Sequence, residues 1–194
     1  YDLVTMAREH ILEEFPDRRI ELVDTLSISM GAGLLVYYAI QQKEQGASLD
    51  DIAGWVRSNR LRMNHWFVVD DLNHLRRGGR LSAAAATVGT MLDLKPMITV
   101  NREGKLVPTE KIRGKKKVLR TLAQRLEERI EHPEEQVVVI MHADCEDQAE
   151  ALKAMILEKV RPKEIWIRMV GPVIGTHAGP GTMAVLFLGQ ERAS

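Results

Sequence analysis

The chain reads GPVIGTHAGPGT from Gly171 to Thr182, between two apolar segments that predict β-strands. Four glycines and two prolines in these twelve residues restrict the backbone path and allow close approach of another group. We therefore expect a tight glycine-rich loop from Gly171 to Gly181. Its backbone N–H groups, the Thr176 hydroxyl and the His177 imidazole could bind a carboxylate or a phosphate. A plain connection between two strands, with His177 on the surface, explains the pattern equally well.

The segments on either side alternate between helical and strand patterns, which is typical of an α/β fold. Predicted helices span or begin at Leu3–Phe15, Ser29, Ser48, Asp71–Arg77, Ser82, Val118–Ile130 and Leu152–Val160. Predicted strands are Ile20–Val23, Trp66–Val69, Met97–Val100, Leu106–Val107, Val137–Met141, Ile165–Met169 and Met183–Leu188. Because turn residues cluster between positions 70 and 80, we predict an N-terminal α/β domain over residues 1–70. A C-terminal α/β domain with a mixed sheet would follow over residues 71–194.

The composition excludes several classes of protein. The 194 residues include 27 acidic and 27 basic side chains, so the net charge is zero and bulk nucleic-acid binding is not expected. No apolar run approaches the roughly 20 residues needed to cross a bilayer, so we expect no stable membrane insertion. Cys145 is the only cysteine, which excludes an internal disulfide and fits a cytoplasmic protein. No set of zinc ligands has matching spacing, and we predict no metal and no cofactor.

A second candidate for anion binding is the segment Gly78-Gly79-Arg80, which is followed by Ser82. The glycines allow one helix to end in a left-handed turn, and Ser82 can cap the next helix. Arg80 would then precede a helix N-terminus, where free N–H groups favour anions and a guanidinium adds a forked donor. A corner between two helices with solvated arginines is the alternative.

The helix predicted after this corner is rich in small residues. At helical spacing, Ala84, Val88 and Met91 would share one face and could line an apolar tunnel for a lipid. Close packing against another helix is the commoner reason for such a pattern.

The third candidate is a basic segment, formed by Arg113, Lys115, Lys116 and Lys117, ahead of the long helix. Cations at a helix N-terminus oppose the helix dipole, each by roughly 0.3–1 kcal/mol, so their clustering indicates an anionic partner. A phosphate-bearing ligand, an acidic protein surface and nucleic acid all remain open, as does a solvated basic run. No aromatic residues alternate with these cations, which argues against a stacking platform for single strands.

Taken in order, these motifs resemble the DegV family of bacterial fatty-acid-binding proteins, which includes the carrier subunit of fatty acid kinase. Each motif alone is weak, whereas the ordered set is specific and covers nearly the whole chain. The matching segments are Val23–Gly33, Gly78–Arg80, Lys95-Pro96, Arg113–Lys116 and Gly171–Gly181. The family usually begins upstream with a strand and a Ser-Gly-Thr-Tyr-like turn, and Tyr1 resembles the tyrosine of that turn. We therefore expect the first part of the fold, with the principal carboxylate-binding hydroxyls, to be missing from this chain.

The resemblance implies a two-domain α/β protein that holds one long-chain fatty acid in an apolar tunnel. It places His177 at the carboxylate and makes Arg80 a further head-group candidate. Thr176 is a third candidate through its position beside His177 in the glycine-rich loop. It also implies a partner kinase that phosphorylates the bound acid, so the chain would be a lipid carrier in phospholipid metabolism without turnover of its own.

A phosphotransferase-like enzyme is the alternative function. The DegV fold resembles the substrate-binding domain of dihydroxyacetone kinase, in which a histidine holds a small ketone. His177 would then act covalently or as an acid and base, and a compact polar pocket would favour this hypothesis. A regulatory DNA-binding role through the lysines around Lys116 is a more distant hypothesis.

Overall fold

The computed structural model describes residues 1–80 and 94–193, which form helices packed against a single β-sheet. The helices are α1 (Asp2–Glu14), α2 (Ser29–Glu44), α3 (Leu49–Asn59), α4 (Leu72–Arg77), α5 (Lys115–Arg129), α6 (Glu146–Leu157) and α7 (Pro172–Ala178). The strands are β1 (Met63–Val68), β2 (Leu94–Val100), β3 (Leu106–Arg113), β4 (Val137–His142), β5 (Glu164–Met169) and β6 (Met183–Leu188). The predicted α/β class is therefore confirmed.

The six strands lie in the order β3-β2-β1-β6-β4-β5. Strands β4 and β5 are parallel and are joined through α6, whereas the other neighbouring strands are antiparallel. The sheet is thus mixed, as predicted. Strand β1 and strand β6 pair at its centre over their full length, from Met63 opposite Leu188 to Val68 opposite Met183.

Both faces of the sheet are covered, because alternate residues of the central strands point to opposite sides. On one face, Val138 and Ile140 of β4 pack with the apolar faces of α5 and α6. On the other face, Val137 and Val139 pack with Leu34 of α2 and with α3. A smaller cluster beneath α4 and α7 includes Phe67, Val69, Leu75, Ile98 and Ala178. Every residue of β4 is buried, as the apolar run from Val137 to Met141 predicts, and the polar His142 at its end is buried with them.

The predicted strand at Ile20–Val23 is wrong, because the structure has a loop there. Carbonyl groups at alternate positions of this loop accept hydrogen bonds from arginine side chains instead of from a neighbouring strand. The pairs are Arg8 with Ile20 (2.8 Å), Arg57 with Leu22 (3.3 Å), Arg60 with Asp24 (3.0 Å) and Arg192 with Leu26 (2.8 Å). We call residues 20–26 the arginine-bound segment. Periodicity alone does not reveal this kind of pairing.

Two predictions about organisation stay open. The helix predicted from Ser82 lies outside the described residues. The boundary between residues 1–70 and residues 71–194 also stays a prediction, and strand β1, which precedes it, is hydrogen-bonded to β2 and β6 beyond it. Within the described part of the chain, no helix is long and apolar enough to span a membrane.

The start of α3 gives a direct test of the local structure. The Ser48 hydroxyl accepts a hydrogen bond from the Asp51 N–H (3.2 Å), and the Asp51 carboxylate accepts one from the Ser48 N–H (3.3 Å). Because this capping box satisfies free helix N–H groups, Ser48→Ala should lower the free energy of unfolding by about 1 kcal/mol in chemical denaturation. Ser58→Ala is the control, since that exposed hydroxyl donates to the Gly54 carbonyl within the same helix and does not cap it. An equal loss in both variants would contradict this role of the capping box.

Candidate ligand-binding site

A cavity of about 790 Å³ lies on the α2 side of the sheet, where the strands pass beneath α4 and α7. This is within the usual volume range of small-molecule sites. Its floor is the sheet face that carries His65, Phe67, Met141, Ala184 and Leu186. The remaining described lining comes from the α2 start, the α4 corner, the β2–β3 turn and α7, and its apolar members include Ile28, Leu75, Leu106, Val170, Val173 and Ile174. Apolar side chains therefore dominate the described wall.

The segment predicted as a glycine-rich loop forms one wall of the cavity, and the prediction of a loop there is mostly wrong. Most of the stretch from Gly171 to Gly181 is the short helix α7, and an irregular turn occupies only its end. Pro172 stands at the first helical position, where its fixed φ suits a helix. Gly179, with φ of 79°, follows the last helical residue. The backbone N–H groups of Gly175 and Gly179 are used inside the helix, at 2.9 and 2.8 Å from their acceptors, and do not form an open cradle.

The structure brings His177 and Arg80 together at the mouth of the cavity, with Gly78 between them. Both side chains line the cavity, and the Arg80 guanidinium donates a hydrogen bond to the Gly78 carbonyl (2.9 Å). A Cβ atom at position 78 would overlap the His177 imidazole at Nδ1. That nitrogen is buried and has no hydrogen-bond partner within the described residues. Two of the three predicted head-group residues are thus neighbours across a glycine.

Thr176, the third predicted head-group residue, lies elsewhere. Its side chain is exposed, its hydroxyl donates to the Pro172 carbonyl (2.8 Å), and it is not among the residues that line the cavity. Two other residues with hydroxyl groups, Ser29 and Thr182, are among those that line the cavity. Thr182 is buried, and its hydroxyl donates to the carbonyls of Ala178 (3.0 Å) and Gly179 (2.9 Å). Thr182 was missed because it ends the glycine-rich stretch without a distinctive neighbour.

His65 is the second lining residue that the sequence did not reveal. It lies on β1 between Met63 and Phe67 on the same face, and only 1% of its surface is exposed. The sequence did contain a signal, because His65 alternates with the apolar residues Met63 and Phe67, as residues on one face of a strand do. The predicted strand began at Trp66, one residue too late to include His65. Burial, and secondarily the positive charge of Arg192, lower the pKa of His65 to about 3. The imidazole on the cavity floor is therefore neutral at physiological pH.

The charged side chains among the described lining residues have one sign. Arg80 and Lys105 are exposed at its edge, and none of the described lining residues is acidic. The nearby Asp70 carboxylate is paired with Lys95 and does not line the cavity. A positively charged edge above an apolar interior suits a ligand with an anionic head and an apolar body.

The remaining predicted residues fall outside this cavity. The basic segment lies at the end of β3 and the start of α5, where Arg113 and the three lysines are exposed. The predicted acyl-chain lining by Ala84, Val88 and Met91 lies outside the described residues and stays a prediction. A search of residues 1–80 and 94–193 finds no cluster of three or more metal-ligating side chains.

Comparison with known proteins supplies the family. The sequence profile of the DegV family, described as an uncharacterised protein family, matches residues 1–190. A DegV domain-containing protein of Clostridium perfringens is 48% identical over 192 residues, which cover 99% of this chain and 66% of that protein. The chain thus spans just under two thirds of the length of this relative.

Two solved structures share the fold. The fatty acid binding DegV family protein from Streptococcus agalactiae aligns with a TM-score of 0.79 and 33% identity, over 94% of this chain and 64% of that chain. The B3 protein of the Streptococcus pneumoniae fatty acid kinase, loaded with linoleic acid, aligns with a TM-score of 0.87. The alignment covers 96% of this chain and 66% of that chain. The latter is 22% identical and shows only that the fold is shared.

The contact between Gly78 and His177 predicts the effect of a single methyl group. Gly78 does not have a left-handed backbone, so Gly78→Ala adds a clash with the imidazole without backbone strain. We expect His177 to move, and the NMR signals of its ring to shift, while the fold is retained. In the control Gly54→Ala, the added Cβ meets nothing, and this helix α3 variant should gain about 0.5–1 kcal/mol of stability. Unchanged His177 signals in Gly78→Ala would contradict the packing described here.

Proposed function

The chain belongs to the DegV family, and we propose that it binds a long-chain fatty acid in the cavity on the α2 side of its sheet. The observation that carries this proposal is an apolar cavity whose described edge is positively charged. The 33% identical Streptococcus agalactiae protein, which is described as fatty acid binding, supports the ligand class. Each buried CH₂ group contributes roughly 0.8 kcal/mol, so a long apolar chain supplies most of the affinity.

In this proposal the carboxylate lies at the cavity mouth, beside His177 and Arg80. Both side chains can donate hydrogen bonds, and the guanidinium adds a fixed positive charge. His65 is a poor carboxylate partner because it is neutral and lies deep on the floor. Thr176 is the weakest of the predicted head-group residues, since it is not among the residues that line the cavity and its hydroxyl already bonds the Pro172 carbonyl. The small-residue segment with Ala84, Val88 and Met91 would complete the lining of the acyl chain.

The proposed role is that of a carrier without turnover, rather than a phosphotransferase-like enzyme. An enzyme acting on a small polar ketone needs a compact polar pocket, whereas this cavity is large and lined mainly by apolar side chains. The lone thiol is a poor nucleophile, because burial raises the pKa of Cys145. A partner kinase that phosphorylates the bound acid would supply the chemistry.

Native mass spectrometry of the purified protein tests the ligand directly. We expect a one-to-one adduct that releases a long-chain fatty acid on denaturation. A complete protein that carries this chain and stays empty when offered fatty acids would overturn the proposal. Binding of a small polar ketone in its place would favour the enzyme alternative.

The His177→Asn variant tests the position of the carboxylate. Loss of a hydrogen bond to a charged group should weaken fatty acid affinity by roughly tenfold or more, measured by calorimetry. His132→Asn is the matched control, because His132 is exposed at a left-handed position that asparagine tolerates. The methyl ester of the same acid should bind both variants with similar affinity. Equal affinity of His177→Asn and the unaltered protein for the free acid would place the carboxylate elsewhere.

The basic segment gives a separate test of the partner. The three lysines at residues 115–117 occupy the first turn of α5, whose preceding residue Gly114 offers no side-chain cap. Replacing all three by glutamine should make the free protein more stable, because cations there oppose the helix dipole. The same variant should bind an acidic kinase surface more weakly, with a smaller dependence on salt, and should keep its fatty acid affinity. Undiminished acyl-phosphate formation with the kinase would remove this surface from the proposal.

A further inference from the structure

Strand β5 is one edge of the sheet, and no other strand of the described residues pairs with its outer side. On its inner side it is parallel to β4, and Val170, which follows the last residue of β5, donates its N–H to the His142 carbonyl (2.8 Å). In a parallel ladder alternate residues direct both backbone groups to the same side. The N–H and C=O groups of Ile165, Ile167 and Met169 therefore point away from β4.

The opposite edge of the sheet, β3, has features that prevent pairing with a further strand. Pro108 in its middle has no N–H to donate, and the register shifts between Met97 and Ile98 of the neighbouring β2. Natural sheets use prolines and bulges in this way to keep their edges from associating. Strand β5 has neither feature, since it contains no proline and all six of its residues pair in register with β4.

The sequence of β5 from Glu164 to Arg168, Glu-Ile-Trp-Ile-Arg, is complementary to itself in the antiparallel direction. About a two-fold axis at Trp166, Glu164 would lie opposite Arg168 of a second copy, and Ile165 opposite Ile167. In this register the residues that exchange backbone hydrogen bonds are Ile165 and Ile167, whose N–H and C=O groups are those that point outward. Charge complementarity and backbone geometry thus select the same register.

The charged side chains of β5 are aligned with Trp166 on one face of the strand. The Trp166 Nε1–H donates to the Glu164 carboxylate (2.8 Å), and the Arg168 guanidinium lies 5.6 Å from the centre of the Trp166 ring. Arg168 also donates to the Ile167 carbonyl (2.8 Å), so that it covers part of the open edge in the single chain. On pairing, this carbonyl would accept the Ile165 N–H of the second copy, and Arg168 would bind the Glu164 of that copy.

We infer that two copies of the chain associate through antiparallel pairing of their β5 strands, which joins two six-stranded sheets into one. The partner is a second copy because the two-fold axis turns Glu164 and Arg168 into two equivalent pairs of opposite charge. Such an interface uses the same surface on both chains. Because a single strand pair buries less surface than a standard interface, the dimer is weak, with a dissociation constant on the order of micromolar.

Analytical ultracentrifugation of the complete protein that carries this chain measures the dimer, over concentrations from about 1 to about 300 µM. Glu164→Arg and Arg168→Glu each place like charges opposite one another at two positions, and each should raise the dissociation constant about tenfold. An equimolar mixture of the two variants should recover the original affinity, because pairs of opposite charge form again between unlike chains. Arg120→Glu is the matched control, since it reverses an exposed charge on α5 and should leave the dissociation constant unchanged.

Hydrogen exchange of the unaltered protein gives a second measurement that needs no variant. The N–H groups of Ile165 and Ile167 should exchange more slowly as the protein concentration rises. Protection that does not depend on concentration would mean that another segment of the complete protein pairs with β5, and the inference would then be wrong. A monomer throughout the concentration series would overturn it as well. A dimer that neither charge reversal weakens, or that the mixture of variants fails to restore, would place the interface elsewhere.

Discussion

The antiparallel pairing of β1 with β6 at the centre of the sheet is the constraint on which the site depends. The two strands pair over six residues, so the end of β1 lies beside the start of β6. The chain leaves β1 into α4 and enters β6 from α7, and the two short helices therefore meet at the same edge. This is why Gly78 and His177, which are distant in sequence, come into contact. The cavity mouth is a consequence of strand order more than of any single loop.

Charged side chains lie at the exposed edge of the cavity and uncharged ones line its interior, because removing a charge from water costs free energy. The cationic side chains of Arg80 and Lys105 lie at the exposed edge, where water solvates them. His65, on the floor, remains neutral because the charged imidazolium would have to give up its hydration. An anionic head group therefore gains most at the mouth, and the interior is left for groups without charge. The same argument disfavours a buried carboxylate and a small ionic substrate.

Sequence patterns predicted those elements whose signal is local. Strand β6 has its predicted bounds, and Ser48 forms the expected capping box, because burial and capping are encoded in adjacent residues. The first part of the arginine-bound segment, Ile20–Val23, was wrongly predicted as a strand, because the hydrogen-bond partners of the segment are side chains from α1, α3 and the C-terminal tail. His177 and Arg80 were predicted as anion-binding candidates from local glycine-rich patterns and from the family resemblance, but their link through Gly78 is a tertiary contact that neither source reveals. His65 was missed since a lone polar residue in an apolar strand does not disclose what lies opposite.

Arg192 connects the arginine-bound segment to the cavity floor. Its guanidinium donates hydrogen bonds to the carbonyls of Leu26 (2.8 Å) and Arg60 (2.9 Å), and burial lowers its pKa to about 10. Leu26 and Ser29 both have left-handed backbones, which cost free energy in residues with a side chain and need such external support. Those residues flank Ile28, and Ile28 and Ser29 form the wall of the cavity next to His65. The charge that holds this wall also disfavours protonation of His65. One buried arginine thus supports the shape of the cavity and the neutral state of its floor.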